Sequence, residues 1–364
     1  MKDGPLSAHS ADWAKDMAKK KKSDEDILIA EHDDGVDKAS QDALERAAET
    51  VCRECMQIQR SENVLVITDP NTSEIGRALY EAATKISDRV LMVMMPSTHR
   101  HGDEPPSPVA ELMRKQDVVL APTRYSLTHT RARMQACREG TRIATMPGIT
   151  LQMFTEGGMT TDFNAMQSAI AQLGKSLKRQ RSVHVTTPSG TDVTFEIAGR
   201  WELGDNGICN RPGQVTNLPA GKILGMPKEG TMEGTIVIDG TWDATLIENP
   251  ITLKVEAGIV TKVSGEDRDD VKALFVEASR KLKPQHQSNV WTVAEFGFGM
   301  NPRARLIGNV LEDEKVQGTC YFAIGDNTNL GGSSLCGIHV TGVLSEPTVE
   351  IGELKLLNEG DMRI

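Results

Sequence analysis

The sequence predicts an α/β N-terminal domain with a parallel sheet, followed by a β-rich α+β C-terminal domain. The chain has 364 residues, about twice the usual length of a single domain. Helical and strand patterns alternate up to about residue 180, and consecutive strands broken by glycines follow. We therefore expect an N-terminal extension over residues 1–37, an α/β domain over 38–180 and a β-rich domain over 181–364.

In the N-terminal half, short apolar runs bounded by turn residues alternate with helical patterns. The apolar runs predict strands at residues 63–70, 90–96, 117–123 and 142–148. Apolar residues at helical spacing predict helices at residues 38–59, 72–86, 108–115, 128–139 and 162–179. Because the strands are apolar on both faces, they favour a parallel sheet that helices cover.

The C-terminal half has the pattern of a sheet made of consecutive strands. Residues 182–201 alternate like a hairpin around a turn at residues 188–191. Further strands are predicted at residues 234–240, 251–265, 291–299, 318–326, 337–345 and 347–353, with one helix at 269–281. This succession of strands predicts the β-rich domain.

Composition and charge exclude several classes of protein. The 41 basic and 51 acidic residues give a formal charge of −10, which opposes binding to nucleic-acid phosphates. No stretch approaches the roughly 20 apolar residues that span a bilayer, and the N-terminus lacks the apolar segment of a signal peptide. Six scattered cysteines are typical of reduced thiols. We expect a cytoplasmic protein with a small-molecule substrate and without nucleic-acid or membrane partners.

The chain shows no nucleotide-binding or hydrolase fingerprint. It has no GxxxxGK[ST], GxSxG or HExxH motif, and no GxGxxG between a strand and a helix. Candidate chemistry lies instead in the C-terminal strands. Glu295 is an ionisable residue within an apolar strand, which costs free energy unless it is paired or binds a ligand. His339 lies between isoleucine and valine in another strand, on the same face as Thr341.

Polar residues also follow two strands of the predicted parallel sheet, at the edge where such sheets bind ligands. Those after the strand at 117–123 are Ser126, Thr128, His129 and Thr130. His99 and His101 follow the strand at 90–96, where we expect an exposed loop, although a His-x-His pair is also able to bind a metal.

Four longer segments carry a resemblance to a known family. They are LAPTRYSLTHTRARMQACREGTRIATMPGI, NLPAGKI, AEFGFGMNPRARLIGNVLEDEKVQGTCYFAIGDN and GGSSLCGIHVTGVLSEPTVEIGE. These segments resemble the aminopeptidase T-like family of bacterial and archaeal metallopeptidases, which includes thermophilic leucyl aminopeptidases. Its superfamily also contains the 2,5-dihydroxypyridine 5,6-dioxygenases, which are mononuclear Fe(II) enzymes. The resemblance covers about residues 40–360.

In the peptidases, the resemblance implies a two-metal site with five ligand positions. Glu295 and His339 retain two ligands, whereas Lys222, Tyr321 and Thr341 stand where a glutamate, a histidine and an aspartate are expected. In the dioxygenases, it implies a ligand triad at Glu295, His339 and Thr341, where His, His and Asp are expected. A lysine ammonium repels the cation that a carboxylate attracts. A divalent metal (Zn, Co, Mn or Fe) on Glu295 and His339 is one option, but three of five positions are substituted and the cofactor stays open.

The substituted positions also form an acid and base inventory. Lys222 is a candidate either for the place of a cation beside Glu295, or for a neutral base or amine nucleophile. Glu295 and His339 are candidate acids or bases, and Tyr321 is a candidate proton donor. The alternative is that these residues only repacked a lost metal site. Candidate substrate-binding residues are Arg303 and Arg305, which suit a substrate carboxylate, together with Thr341 and Asp205.

These observations lead to one main functional hypothesis and three alternatives. The main hypothesis is a hydrolase that cleaves a C–N bond in a small amino-acid-like or ring compound. The alternatives are a ring-opening enzyme related to 2,5-dihydroxypyridine dioxygenase, a metal-independent enzyme that uses the same site, and a binding protein without catalysis. The resemblance further implies a homodimer or a larger homo-oligomer.

Overall fold

The N-terminal half folds around a parallel sheet covered by helices. The computed structural model describes residues 38–363. The strands are β1 (Val64–Thr68), β2 (Val90–Met94), β3 (Val118–Thr123) and β4 (Arg142–Pro147). The helices are α1 (Lys38–Thr50), α2 (Ser73–Thr84), α3 (Ser107–Met113), α4 (Arg131–Arg138), α5 (Leu151–Thr155) and α6 (Phe163–Leu177). The four strands pair in parallel in the order β2-β1-β3-β4, which confirms the predicted α/β architecture.

The C-terminal half contributes a large sheet in which the strands pair antiparallel. Its helices are α7 (Arg268–Arg280) and α8 (Val310–Asp313). The strands of this half are β5 (Ser182–Thr186), β6 (Asp192–Glu202), β7 (Val215–Asn217), β8 (Lys222–Pro227), β9 (Glu233–Ile238), β10 (Thr241–Trp242), β11 (Thr245–Leu246), β12 (Ile251–Glu256), β13 (Ile259–Ser264), β14 (Val293–Gly299), β15 (Cys320–Gly325), β16 (His339–Leu344), β17 (Thr348–Ile351), β18 (Leu354–Asn358) and β19 (Asp361–Met362). The main path of the sheet is β11-β10-β16-β15-β14-β8-β6-β5-β17-β18-β19. The predicted β-rich architecture is confirmed.

One short strand of the C-terminal half joins the other sheet. Strand β7 pairs in parallel with β4, so that Asn217 lies opposite Thr145. Its three residues carry no strand pattern of their own, and the sequence analysis did not predict it. The domain limits at residues 38–180 and 181–364 stay a prediction, and the N-terminal extension over residues 1–37 lies outside the described residues. No helix within residues 38–363 combines the length and the apolar character that crossing a bilayer requires.

Four neighbouring strands at the centre of the large sheet bring distant residues together. Strand β14 pairs with β8 on one side and with β15 on the other, and β15 pairs with β16. Lys222 begins β8, Glu295 lies in β14, Tyr321 in β15 and Thr341 in β16. All seven residues of β14 are buried, so an ionisable side chain on it needs partners inside the protein.

Aromatic side chains from β14, β15 and the nearby strand β6 form the core next to that region. The ring of Phe195 lies 5.1 Å from the ring of Phe296 and 5.9 Å from that of Phe322, measured between centroids. The Phe296 and Phe322 rings are 5.1 Å apart. The two contacts of Phe195 are edge-on and the Phe296–Phe322 contact is tilted, and these buried rings pack β6, β14 and β15 together beside the site.

The edge strand β2 differs from the prediction that helices cover both faces of every strand in the parallel sheet. In β2, Leu91, Met92 and Met94 are exposed. Because β2 is the outermost strand, it pairs with β1 on one side only, and its apolar side chains reach the surface.

A buried ion pair ties the N-terminal segment to the parallel sheet. Arg142, the first residue of β4, donates hydrogen bonds to the carbonyl of Met56 and to both carboxylate oxygens of Glu62, at 2.6 and 2.7 Å. Burial on its own raises the pKa of Glu62, but the bonds from Arg142 and from the Gln59 backbone bring it below its ordinary value. The pair therefore remains charged at neutral pH.

We predict that Arg142→Ala lowers the free energy of unfolding by about 3 kcal/mol, because it leaves the Glu62 carboxylate largely buried without its cation. Guanidinium denaturation measures the change. The control is Arg268→Ala, which removes an exposed pair with Asp269 and is expected to cost less than about 1 kcal/mol. Equal losses in the two variants would contradict the structural role of Arg142.

Candidate functional site

Residues predicted to form the site meet on the central strands of the antiparallel sheet. The Nζ atom of Lys222 lies 3.3 Å from Glu295 Oε1. The hydroxyl of Tyr321 donates a hydrogen bond of 2.5 Å to the same oxygen. Glu295 is only 8% exposed, so one oxygen atom inside the protein accepts from both a cation and a phenol. The predicted pairing of Lys222 with Glu295 is present in the structure.

A glutamate that the sequence analysis did not select completes this arrangement. Glu314 Oε2 accepts a hydrogen bond from Lys222 Nζ at 2.6 Å. Its other oxygen, Oε1, accepts one from Thr341 Oγ1 at 2.9 Å. Glu314 lies in the run EDEK, which carries no spacing that marks one of its acids as buried. Its position within a segment that carries the family resemblance was the one available signal.

A second lysine and an aspartate extend the network inward. Lys315 Nζ lies 3.2 Å from Glu314 Oε2 and 3.7 Å from Asp205 Oδ2. The backbone carbonyl of Asp205 also accepts the N–H groups of Gly221 and Lys222, which fixes the start of β8. We call the following seven residues the charge cluster: Asp205, Lys222, Glu295, Glu314, Lys315, Tyr321 and Thr341.

The protonation states within the charge cluster follow from its contacts. Burial lowers the pKa of the Lys222 ammonium, but the negative charges of Glu314 and Glu295 oppose burial, and the pKa is raised well above its ordinary value. Burial and the neighbouring Glu295 raise the pKa of the Tyr321 hydroxyl well above its ordinary value. Near neutral pH, Lys222 is therefore positively charged, and Tyr321 is protonated and donates to Glu295.

The pKa values of the two acids that contact the lysines, Glu314 and Asp205, shift in opposite directions. For Glu314, burial favours a raised pKa, yet the charges of Lys222 and Lys315 overcome burial and hold the pKa well below its ordinary range. For Asp205, burial dominates and raises the pKa, although both lysines oppose this. The raised pKa of Lys222 favours its predicted place as a cation beside Glu295 over that of a neutral base or amine nucleophile, and its role stays a prediction.

A glycine makes room for the tyrosine of the charge cluster. Gly297 in β14 lies opposite Tyr321 in β15. A Cβ atom on Gly297 would lie 2.4 Å from the Tyr321 hydroxyl oxygen, far closer than carbon and oxygen pack. The bare backbone at residue 297 lets the ring cross β14 towards Glu295, with Lys222 Nζ 4.9 Å from the ring centre. The glycine at residue 297 thus shapes the site.

Two histidines lie near the charge cluster without being hydrogen-bonded to it. His339 is exposed, and its Nδ1 lies 3.0 Å from the carbonyl oxygen of Asp326. The ring of His129 is also exposed, yet enough protein surrounds it that burial lowers its pKa, with the charges of Arg133 and His339 acting in the same direction. Glu295 and Lys222 also act on the pKa of His129. The loop after β3 therefore reaches the same region as the central strands of the large sheet.

The other polar residues at the ends of the parallel strands form a hydrogen-bonded layer. Thr128 Oγ1 lies 2.7 Å from Thr145 Oγ1 and 3.1 Å from Asn217 Oδ1, and Ser126 donates to Thr128. Thr130 instead begins α4 by accepting the N–H of Arg133. This layer fixes the position of the loop that carries His129.

His99 and His101 are exposed, as predicted for this loop. Burial lowers the pKa of His101 and the charge of Asp243 opposes the shift, so these two side chains lie near each other. The backbone N–H of Asp243 donates to the carbonyl of Thr341, which connects this neighbourhood to β16.

The two arginines predicted to bind a substrate carboxylate lie elsewhere. Arg303 is exposed, and its backbone N–H donates to Asn301. Arg305 pairs with Glu156 at 3.0 Å on the surface. The structure does not bring either guanidinium into contact with the charge cluster, and their substrate-binding role stays a prediction.

Two further buried acids hold the segment that carries Glu314. Glu312 Oε1 accepts the backbone N–H groups of Gly158 and Arg305, and Asp313 Oδ1 accepts that of Ile307. Both side chains are fully buried, and the second oxygen of each has no partner among the described residues. Burial raises the pKa of Asp313 to about 6, although hydrogen bonds from Ile307 and Thr241 act to lower it.

The donor set does not fit the metal that the dioxygenase resemblance implies. At two of the three triad positions the side chains are not arranged as ligands. The Thr341 hydroxyl donates its hydrogen to Glu314, and His339 lies at the exposed start of β16. The Lys222 ammonium lies directly against Glu295 and repels a divalent cation there. Within residues 38–363, no three His, Cys, Asp or Glu side chains are arranged to hold a metal ion.

Comparisons with known proteins agree with this fold. The family described as NicX: 2,5-dihydroxypyridine 5,6-dioxygenase matches residues 44–364. A 2,5-dihydroxypyridine 5,6-dioxygenase from Pseudomonas putida KT2440 is 24% identical over 200 residues, which are 51% of this chain and 55% of that protein. The chain thus spans about half the length of this curated relative.

Two solved structures share the fold. The structure of 2,5-dihydroxypyridine dioxygenase from Pseudomonas putida KT2440 has a TM-score of 0.74 at 19% identity, covering 88% of this chain and 96% of that one. Wild-type AmpT from Thermus thermophilus has a TM-score of 0.66 at 16% identity, covering 89% of this chain and 100% of that one. The predicted superfamily link is confirmed, but the family match is to the dioxygenases and not to an aminopeptidase family.

We predict that Asp313→Asn removes a pH dependence of stability. The folded protein binds the Asp313 proton more tightly than the unfolded chain does, because the pKa is about 6 when folded against an ordinary 3.8. This contribution to stability is fully present below the unfolded value and is lost as the pH rises through about 6. The free energy of unfolding, measured by urea on both sides of this interval, should therefore fall with pH more in the wild type than in the variant.

The matched control for this prediction is Asp88→Asn, because Asp88 is exposed. It should keep the pH dependence of the wild type. Parallel curves for the wild type and Asp313→Asn would show that Asp313 is not the titrating group.

Proposed function

The chain belongs to the 2,5-dihydroxypyridine 5,6-dioxygenase family, and we propose that it opens the ring of a small hydroxylated nitrogen heterocycle. The family match over residues 44–364 supports the class of enzyme and of substrate. The observation that carries the proposal is the pair of donors, Lys222 Nζ and the Tyr321 hydroxyl, on one buried oxygen of Glu295. Both contacts fix the position of Lys222 and Glu295, and the Lys222 ammonium, which keeps one hydrogen beyond those bound by Glu295 and Glu314, is suited to an anionic intermediate.

We assign to Lys222 the role of binding the substrate oxygen. An ammonium group has three hydrogens, and Lys222 donates two of them to Glu295 and Glu314. The side chain remains 14% exposed, so the third hydrogen is available to a ring hydroxyl. Loss of the hydroxyl proton makes the ring electron-rich, and the adjacent positive charge stabilises the resulting oxyanion.

We assign to His129 the role of accepting the proton from the substrate hydroxyl. Its pKa is lowered by burial and by Arg133, so the ring is neutral near pH 7 and accepts a proton. The charges of Lys222 and Glu295 act on it, which is consistent with a position beside the bound substrate. His339, exposed nearby, is the alternative acceptor predicted from the sequence.

Two reactions lead from such an oxyanion to an open ring. In the first, both atoms of dioxygen add across a carbon–carbon bond that is cleaved, as the name of the Pseudomonas putida relative indicates for that enzyme. In the second, water adds across a C–N bond, which is the hydrolysis predicted from the sequence. The second candidate is favoured by the donor set itself, which provides an acid, a base and a cation but, within residues 38–363, no fitting group of metal ligands.

An assay with dihydroxypyridine isomers tests the proposal and separates the two reactions. Ring opening removes the ultraviolet absorption of the aromatic ring, and an oxygen electrode records dioxygen consumption in the same sample. Absorbance loss with matching oxygen uptake supports the first reaction. Absorbance loss that continues without oxygen supports the second. If no hydroxylated heterocycle loses its absorbance, the proposed function is wrong.

We predict that Lys222→Met and Glu295→Gln each lower kcat by about 10²- to 10⁴-fold, because each removes a group that acts on the reacting proton or charge. The control is Lys228→Met, which alters an exposed lysine paired with Glu196 just after β8. It should retain the wild-type rate. Full activity in folded Lys222→Met would remove Lys222 from the mechanism.

A further inference from the structure

The charge cluster contains more carboxylates than cations. Glu295, Glu314 and Asp205 provide three acids, and Lys222 and Lys315 provide two ammonium groups. Isolated carboxylates inside a protein cost several kcal/mol each in lost hydration, so their number has to be matched by cations or by protons. The positive charges of Lys222 and Lys315 therefore offset the cost of burying these carboxylates.

Lys222 is the cation that the outer part of the charge cluster depends on. Its Nζ atom contacts Glu314 at 2.6 Å and Glu295 at 3.3 Å. Lys315 contacts Glu314 and Asp205 and is 2% exposed, so it is confined to the inner part. No second cation contacts Glu295 among the described ion pairs. The loss of Lys222 would leave Glu295 with the Tyr321 hydroxyl as its recorded partner.

An ammonium group and a divalent metal are mutually exclusive at this position. Both are attracted by the same two carboxylates, but a protonated amine has no lone pair for a metal and repels it at contact distance. The Lys222 ammonium is held by two charge-assisted hydrogen bonds and lies over the Tyr321 ring. A metal would need to displace this side chain from both acids.

We propose that the Lys222 ammonium is the built-in cation of the charge cluster, so that the wild-type protein binds no divalent metal between Glu295 and Glu314, and that removal of this one charge creates a metal site there. The Glu variant adds a third carboxylate to these two, which completes an oxygen-rich set that suits a divalent ion. The inference concerns metal binding by the protein alone, and it holds or fails whatever substrate the enzyme uses.

Titration with Co²⁺ tests this inference, with binding followed by calorimetry and by the visible absorption of bound Co²⁺. The proteins are the full-length wild type, Lys222→Glu, Lys222→Gln and the control Lys228→Glu. The control changes the net charge by the same amount at an exposed lysine that directly follows β8. Thermal unfolding shows which variants are folded before the titration.

The wild type and Lys228→Glu should show no saturable binding, and Lys222→Glu should bind one equivalent with a visible band. If Lys222→Glu does not fold, Lys222→Gln carries the test, because it removes the charge and retains a side chain of similar length. One equivalent of tightly bound Co²⁺ in the wild type would overturn the inference. So would the absence of binding in the folded Lys222 variants.

Discussion

The structure depends on keeping charges paired inside the large antiparallel sheet. The contact of 2.6 Å between Lys222 and Glu314 is the shortest ion pair of the charge cluster, and it joins strand β8 to the segment after α8. Removing one partner of a buried pair costs far more than the pair contributes as a whole, because the other charge is left without hydration. The position of each strand around the site is therefore coupled to the charge of one lysine.

Contacts with the backbone also position the residues of the charge cluster. The absence of a side chain at Gly297 lets Tyr321 reach Glu295 across β14, and the backbone carbonyl of Asp205 fixes the N-terminus of β8. Glu312 and Asp313, the residues before Glu314, accept three backbone N–H groups from two separate segments, at residue 158 and at residues 305–307. A short acidic run thus determines the path of the loops around the site, and its last acid enters the charge cluster.

Much of the fold could be predicted from the sequence because short stretches of residues carry the pattern of the strand or helix that they form. Apolar runs such as residues 64–68 and 118–123 predict buried strands on their own, whereas the three residues of β7 carry no pattern and pair only in the folded chain. The family resemblance identified Lys222, Glu295 and Tyr321, which do meet. Glu314 was missed because its partner Lys222 is 92 residues away. The protonation of Lys222 likewise depends on acids that no local pattern connects to it.

A crystal structure grown in the presence of Mn²⁺, with data collected for anomalous scattering, shows whether a lysine or a metal lies between the two glutamates. We expect continuous density from the Lys222 side chain to Nζ, between Glu295 and Glu314, and no anomalous peak at that position. An anomalous peak there, with the lysine side chain turned away from both glutamates, would contradict this expectation.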